Sequence, residues 1–228
     1  MKANIGVFFG GRSVEHEISV ISALQSIQAI DKTRYDVTPI YISKNGQWYT
    51  GDLLLEIDNY RNLDELLKNS TKIIFSPNFE EYSFVESGAK GLFKKPLKGK
   101  IDIAFPVLHG SFGEDGAIQG LFELMGIPYI GCDVLSSAIG MDKIMMKMVL
   151  KESGIPVVDY VWFYSKNWQQ DTNSHIQKVE DTLGYPVIVK PANLGSSVGI
   201  KKANNRDELE EAIDYASGFA HKLLVERT

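Results

Sequence analysis

The sequence of 228 residues is long enough for one large domain or two modest ones, and its 44% hydrophobic and 23% charged residues are ordinary globular material. A net charge of −5 with scattered lysines argues against a nucleic-acid surface, and the single cysteine, Cys132, excludes an intrachain disulfide and a cysteine metal cluster. No apolar run approaches the roughly 18 residues of a membrane span and the first residues lack a signal-peptide profile, so a soluble, reducing, cytoplasmic setting is expected.

Asn4–Phe9 is a nearly continuous apolar run, the composition of a parallel strand covered on both faces. Gly10-Gly11 breaks it, and Arg12-Ser13-Val14-Glu15 leads into a helix with Ile18, Ile21 and Leu24 on an apolar side and Gln25 and Gln28 on a polar one. Tyr35–Ile42 reads as a second strand, which completes a βαβ unit and the opening of a doubly wound fold. The fingerprint G-x-G-x-x-G is absent, so no dinucleotide is indicated, and Gly10-Gly11 also reads as a simple tight turn. Lys44-Asn45-Gly46-Gln47 is a hairpin turn with Trp48-Tyr49 returning as a strand. Leu63–Leu67 suggests a short helix, and Ser76–Gly91 suggests loop and weak strands.

Ile101–Leu108 predicts a third buried strand, ending at His109-Gly110. HGSFGEDG (109–116) follows, then a helix over Ala117–Met125 and a strand over Pro128–Gly131. Loops after the C-termini of parallel strands host ligands, so His109 and Glu15 could converge on one crevice. His109 also reads as a packed or capping residue, and Glu114 and Asp115 as turn and first-turn acids. Ser136–Ser153 predicts one helix with an apolar stripe of Ile139, Ile144, Met145, Met148 and Val149. There the methionines read as core filler and Lys143 as a snorkelling side chain. Gly154-Ile155-Pro156 ends it, Val157–Tyr164 predicts a strand, and His175–Leu183 a helix.

Tyr185–Gly199, YPVIVKPANLGSSVG, is the stretch richest in chemistry. Its apolar β-branched run ends in Lys190, followed by Pro191 and by a turn containing Gly195, Ser196, Ser197 and Gly199, before Ile200 resumes a strand. A lysine at the end of a rigid strand beside glycine and serine donors suits a polyphosphate. The alternative is a β-hairpin with a solvated lysine. G-x-x-x-x-G-K-[ST] occurs nowhere, so this is not a P-loop. Asn205 and Glu208 form a capping box for a helix through Tyr215, and Leu223–Glu226 begins a strand. An apolar strand just before Thr228 suggests a fragment, and the alternation of elements changes near Gly131–Leu135.

FFGGRSVEHEISV (8–20), FPVLHGSFGEDGAIQGLFELMGIPYIGC (105–132), MDK (141–143), YPVIVKPANLGSSVGI (185–200) and LLVER (223–227) stand in order along the chain. Together they resemble the D-alanine–D-alanine ligases of the ATP-grasp superfamily. The resemblance implies an α/β chain. Its N-terminal part, 1–131, would be a doubly wound parallel-sheet, Rossmann-like pre-ATP-grasp domain that binds substrate. Its second part, 132–228, would be the first α+β subdomain of an ATP-grasp fold, with the C-terminal part missing. It also implies a bacterial cytoplasmic enzyme of peptidoglycan synthesis that uses ATP with Mg2+ or Mn2+, takes D-alanine as substrate, binds neither nucleic acid nor membrane, and forms a homodimer.

By the same resemblance, Glu15 would bind the ammonium of the first D-alanine and His109 would lie near substrate. Lys143 and Lys190 would grip ATP phosphates, and Ser196 would hydrogen-bond the Glu15 carboxylate. Ser197 and Val198 would lie over the triphosphate, and Glu226 and Arg227 would contact adenine, with Arg227 standing where some relatives carry lysine. Glu15 and Ser196 are thus the expected catalytic pair. The metal ligands, a phosphate-stabilising arginine, a ribose-binding acid and an omega-loop are expected beyond Thr228, so the 228-residue chain alone is expected to be inactive or nearly so. D-lactate or D-serine as second substrate, and a non-catalytic truncated nucleotide-binding module, remain alternatives. The SVEHE and HGSFGEDG segments argue against a carboxylase of the same superfamily.

Overall fold

The computed structural model describes residues 2–88 and 97–228, so the end of the predicted Ser76–Gly91 segment lies outside the described residues. The chain divides into two compact units, Met1–Ser137 and Ala138–Thr228.

In the first unit the elements are β1 (Ala3–Gly10), α1 (His16–Ala29), β2 (Tyr35–Ile42), β3 (Trp48–Thr50), α2 (Leu63–Asn69), β4 (Thr71–Phe75), β5 (Ser83–Glu86), β6 (Lys98–Lys100), β7 (Ile103–Pro106) and α3 (Ala117–Met125). Among the described residues the strands form one seven-stranded sheet in the order β6-β5-β4-β3-β2-β1-β7. Its core is parallel, with β1 paired to β2 from Ala3↔Tyr35 to Gly10↔Ile42 and to β7 from Ile5↔Ile103 to Phe8↔Pro106. β3 to β6 extend this core as an antiparallel meander. Strand alternation sends Ile5, Val7 and Phe9 to a cluster with Val20, Ala23, Leu24 and Ile27 of α1. Phe8 faces the other way, onto Ile118, Phe122 and Met125 of α3. A helix therefore covers each face of β1, which is why its sequence is apolar throughout.

Three expectations change here. Ile18, 54% exposed, and Ile21 do not face the core; α1 buries His16, Ser19, Val20, Ala23, Leu24 and Ile27, a stripe offset from the predicted one because small and polar residues take core positions. The strand expected over Ile101–Leu108 is limited to Ile103–Pro106. Pro128–Gly131 is a single parallel bridge, Tyr129 to Ala104, and not a strand.

The second unit follows α4 (Val134–Met141), which spans the division between the units, with α5 (Lys143–Glu152), β8 (Tyr160–Tyr164), α6 (Ser165–Gln170), α7 (Thr172–Thr182), β9 (Val187–Pro191), β10 (Lys201–Ala203), α8 (Arg206–Ser217) and β11 (Lys222–Arg227). The four strands of this unit form an antiparallel sheet ordered β10-β9-β11-β8. On one face Val187, Val189, Leu223 and Val225 pack with Trp168, Ile176, Val179, Leu209 and Ile213. Asn205 caps α8 as expected: its side chain accepts from the Glu208 N–H at 3.0 Å.

The single helix predicted over Ser136–Ser153 is two helices. Asp142 adopts an extended conformation (φ −95°, ψ 103°), and its carboxylate accepts from the N–H groups of Ile144 and Met145, so α5 starts afresh at Lys143. Of the predicted stripe only Ile144 is buried. Met145, Met148 and Val149 are exposed, so these methionines are not core filler. The predicted strand Val157–Tyr164 begins at Tyr160, and the predicted helix His175–Leu183 begins at Thr172 behind an Asp171 cap.

Candidate functional site

The first unit gathers its candidate residues at the C-terminal ends of β1 and β7. Gly10 and Gly11 have φ of 88° and 90°, the left-handed region, and a Cβ on Gly10 would run into the carbonyl oxygen of Ile42. The Gly10 N–H donates to Ser19 Oγ at 2.8 Å, and that hydroxyl donates to the Val107 carbonyl at 2.5 Å. His16 is buried beneath the turn, with Nδ1 at 2.6 Å from the Gly11 carbonyl. A carbonyl only accepts, so Nδ1 carries the hydrogen, and in the neutral ring Tyr41 Oη donates to Nε2 at 3.0 Å. Burial first, then the charge of Glu17, pushes the Tyr41 hydroxyl up to about 12, so it remains a donor.

Two loops meet above this turn. Ser13 Oγ donates to the His109 carbonyl at 2.6 Å and accepts from the Glu15 N–H at 3.1 Å. Glu15 and His109 thus lie on loops tied through Ser13, with Glu15 at the N-terminus of α1 and the His109 ring 3.1 Å from Ser22 Oγ. Glu114 accepts from the Gly110 N–H and Asp115 from those of Phe112 and Ala117, the turn roles expected for these acids. A cleft of about 320 Å³ opens beside the turn, lined by Gly10, Arg12, Asn45, His109 and Phe112 among others. The Arg12 guanidinium lies 4.1 Å from the centre of the Phe112 ring.

The second unit builds a different site on the sheet face opposite its main core. Alternation puts Lys190 of β9 with Leu224 and Glu226 of β11 on that face, where Lys190 and Leu224 are register partners. Ile144 and Lys147, three residues apart on α5, point to the same face, with Ile144 packing on Ala192 and Leu224. Glu226 forms ion pairs with Lys190 and, at 3.0 Å, with Lys147. The three side chains are 22%, 12% and 10% exposed for Lys190, Glu226 and Lys147. Burial pushes the Glu226 carboxyl up, but the hydrogen bonds and charges of Lys190 and then Lys147 outweigh it and hold the group below its ordinary value of 4.5.

β9 and β10 form a hairpin, with Lys201 opposite Val189, while Lys190 is not the solvated lysine of the simple hairpin reading. In its loop, Ser196 and Ser197 are exposed with φ of 47° and 60°. The Val198 N–H donates to the Gly195 carbonyl at 3.2 Å. Lys143 grips the same loop: its backbone N–H donates to Ala192 O at 2.9 Å and its Nζ to Leu194 O at 2.6 Å. The snorkelling role expected for Lys143 is therefore replaced by a loop contact. Lys190, Glu226 and the unanticipated Lys147 stand together; Arg227 is apart, exposed and 4.0 Å from Asp159. Spacing alone puts Lys147 on the face of Ile144, but only its long-range partner Glu226 distinguishes it from a surface lysine.

Two family sequence profiles match the chain, D-ala D-ala ligase N-terminus over residues 4–132 and D-ala D-ala ligase C-terminus over residues 149–228. The chain belongs to the D-alanine–D-alanine ligase family. It is similar to the D-alanine–D-alanine ligase of Thermosipho melanesiensis, 45% identical over 225 residues, which is 98% of this chain and 59% of the relative. Among solved structures, the VanG D-Ala:D-Ser ligase of Enterococcus faecalis matches with a TM-score of 0.83 at 35% identity, over 100% of this chain and 63% of that one. The D-alanine–D-alanine ligase of Coxiella burnetii matches with a TM-score of 0.84 at 32% identity, over 100% and 62%. These family structures share the mixed α/β fold, and the chain spans about 60% of the length of the curated relatives it matches.

Proposed function

We propose that the protein is an ATP-dependent ligase that joins two D-alanine molecules for peptidoglycan synthesis. The observation that carries this reading is the half-buried group of two lysines and one glutamate at the root of the glycine–serine hairpin. Two cations facing one anion leave a surplus positive charge beside backbone and hydroxyl donors, the environment a polyphosphate needs.

In this reading Lys190 and Lys143 hold phosphate oxygens, Ser196, Ser197 and Val198 cover the triphosphate, and Glu226 and Arg227 meet the adenine. Glu15 pairs with the ammonium of the first D-alanine and His109 borders that substrate. A carboxylate oxygen of the first D-alanine attacks the γ-phosphorus, ADP leaves, and an acyl phosphate forms. The amine of the second D-alanine then attacks the acyl carbon, and the tetrahedral intermediate expels phosphate and leaves the dipeptide. The lysines offset charge as it shifts between phosphate oxygens. Among the described residues no group of three His, Cys, Asp or Glu side chains is placed to hold a metal ion, and no step is assigned to one.

A cytoplasmic location in a bacterium belongs to the same proposal and rests on the family assignment; among the described residues no helix is long and apolar enough to cross a membrane. A homodimer belongs to the same proposal, and its mass in solution tests it. The likeness to VanG favours a second reading with D-serine as second substrate.

The test is ATP-dependent phosphate release with D-alanine, D-serine or L-alanine, on the 228-residue chain and on a chain extended past Thr228 to its relatives' length. Release from the longer chain that requires D-alanine supports the ligase, and stimulation by added D-serine selects the second reading. Release from the longer chain that is indifferent to the amino acid, or none from it, overturns both.

A further inference from the structure

The two lysines on Glu226 are not equivalent. Lys147, the more buried, also donates to the Val158 carbonyl at 3.2 Å and lies 5.3 Å from the centre of the Tyr160 ring. Its helix is anchored through Ile144 against Ala192 and Leu224. Lys190 is the more exposed and directly precedes Pro191 and the glycine–serine loop. Each takes a different oxygen of Glu226, Oε2 for Lys147 and Oε1 for Lys190. An incoming anion would therefore meet Lys190 and not Lys147. If Lys190 turned to that anion, Glu226 would lose one of its two counter-charges while still largely shielded from water, which is costly for a carboxylate with no other cation.

We propose that Lys147 is a positioning residue of the nucleotide site: it holds the Glu226 carboxylate in place from the buried side, so that Lys190 can exchange Glu226 for a phosphate oxygen. This rests on the nucleotide reading of the same group of residues. Glu226 then stays presented to a hydrogen-bond donor on the base, and Lys147 acts through Glu226 without touching the ligand. The charged groups bearing on Glu226 come from α5 and β9, and β8 contributes the Tyr160 ring beneath Lys147.

The test follows the Glu226 carboxyl by carbon-13 NMR titration without ligand, beside calorimetric ATP binding. The variants are Lys190→Met, Lys147→Gln, their combination, and Glu226→Gln with and without Lys147→Gln; Lys147→Met replaces the glutamine variant should that not fold. Glu226 is expected to titrate lower in Lys190→Met, where Lys147 still faces it, than in the combined variant, where burial acts without either lysine. Lys147→Gln is expected to weaken ATP binding about tenfold, the scale of one charge-assisted contact. Lys147→Arg restores binding to within about threefold, and in the Glu226→Gln background the loss of Lys147 changes affinity by less than about twofold. Normal ATP binding and an unchanged Glu226 titration in Lys147→Gln overturn the role of Lys147 alone. An absence of ATP binding by the unaltered chain overturns the nucleotide reading, and a nucleotide role for Lys147 with it.

Discussion

The two units present their candidate residues by opposite means. After β1 the first unit fixes shape with neutral hydrogen bonds and left-handed glycines: Gly10 to Ser19, Ser19 to Val107, His16 to Gly11 and Ser13 to His109. Beneath its hairpin the second unit fixes shape with ions, two lysines on one glutamate and Lys222 on Asp142 at 2.5 Å. The first arrangement gives a rigid backbone frame whose stability is little affected by salt. The second stores a surplus of positive charge that an anion can use. The difference is the one expected if, as proposed, the first unit takes a small zwitterionic substrate and the second a polyanion.

Breaking each frame separates the two. Glu226→Ala leaves two shielded lysines without their shared carboxylate and is expected to destabilise the second unit by about 3–5 kcal/mol, measured by chemical denaturation. Gly10→Val puts a β-branched residue at a φ of 88° with its Cβ on the Ile42 carbonyl, at an expected cost of about 3 kcal/mol in the first unit. Ser19→Ala orphans the Gly10 N–H and should cost about 1–3 kcal/mol, with no dependence on ionic strength between low and moderate salt. A salt-dependent loss there would show that charge also shapes the first site.

The pH response sharpens the contrast. Glu226 titrates below 4.5 when folded, so its contribution is fully present above that value and fades as pH falls through the folded midpoint. Asp142 behaves alike: burial raises its carboxyl, but Lys222 and the helix N–H groups lower it further. Thermal unfolding from pH 7 to 3 is expected to show a smaller acid loss in Glu226→Gln than in the unaltered chain. Equal losses would remove Glu226 from the acid response.

Much of this frame is legible in the residues. Tyr35–Ile42 and Ala117–Met125 announce their elements by alternation or helical spacing, the Lys44–Gln47 turn carries Asn-Gly, and Asn205 with Glu208 marks a helix start. What is hidden depends on long-range partners. Asp142 could sit in a helix or cap one, and its contact with Lys222, eighty positions away, accompanies the second choice. Ile18 and Ile21 look like core residues, yet Ser19 and His16 are buried because each satisfies a polar atom of the glycine turn. Lys147 reads as a surface lysine until β11 brings Glu226 beneath it.

The central claim is that the lysine-rich face of the second unit receives a nucleotide, and calorimetric titration of ATP into the chain and its Lys190→Ala variant tests it most directly. Loss of one charge-assisted contact, about 1.5–3 kcal/mol, predicts affinity weakened roughly ten- to a hundredfold in the variant. Equal affinity in the two proteins would contradict the assignment of Lys190 to the phosphates and with it the nucleotide site.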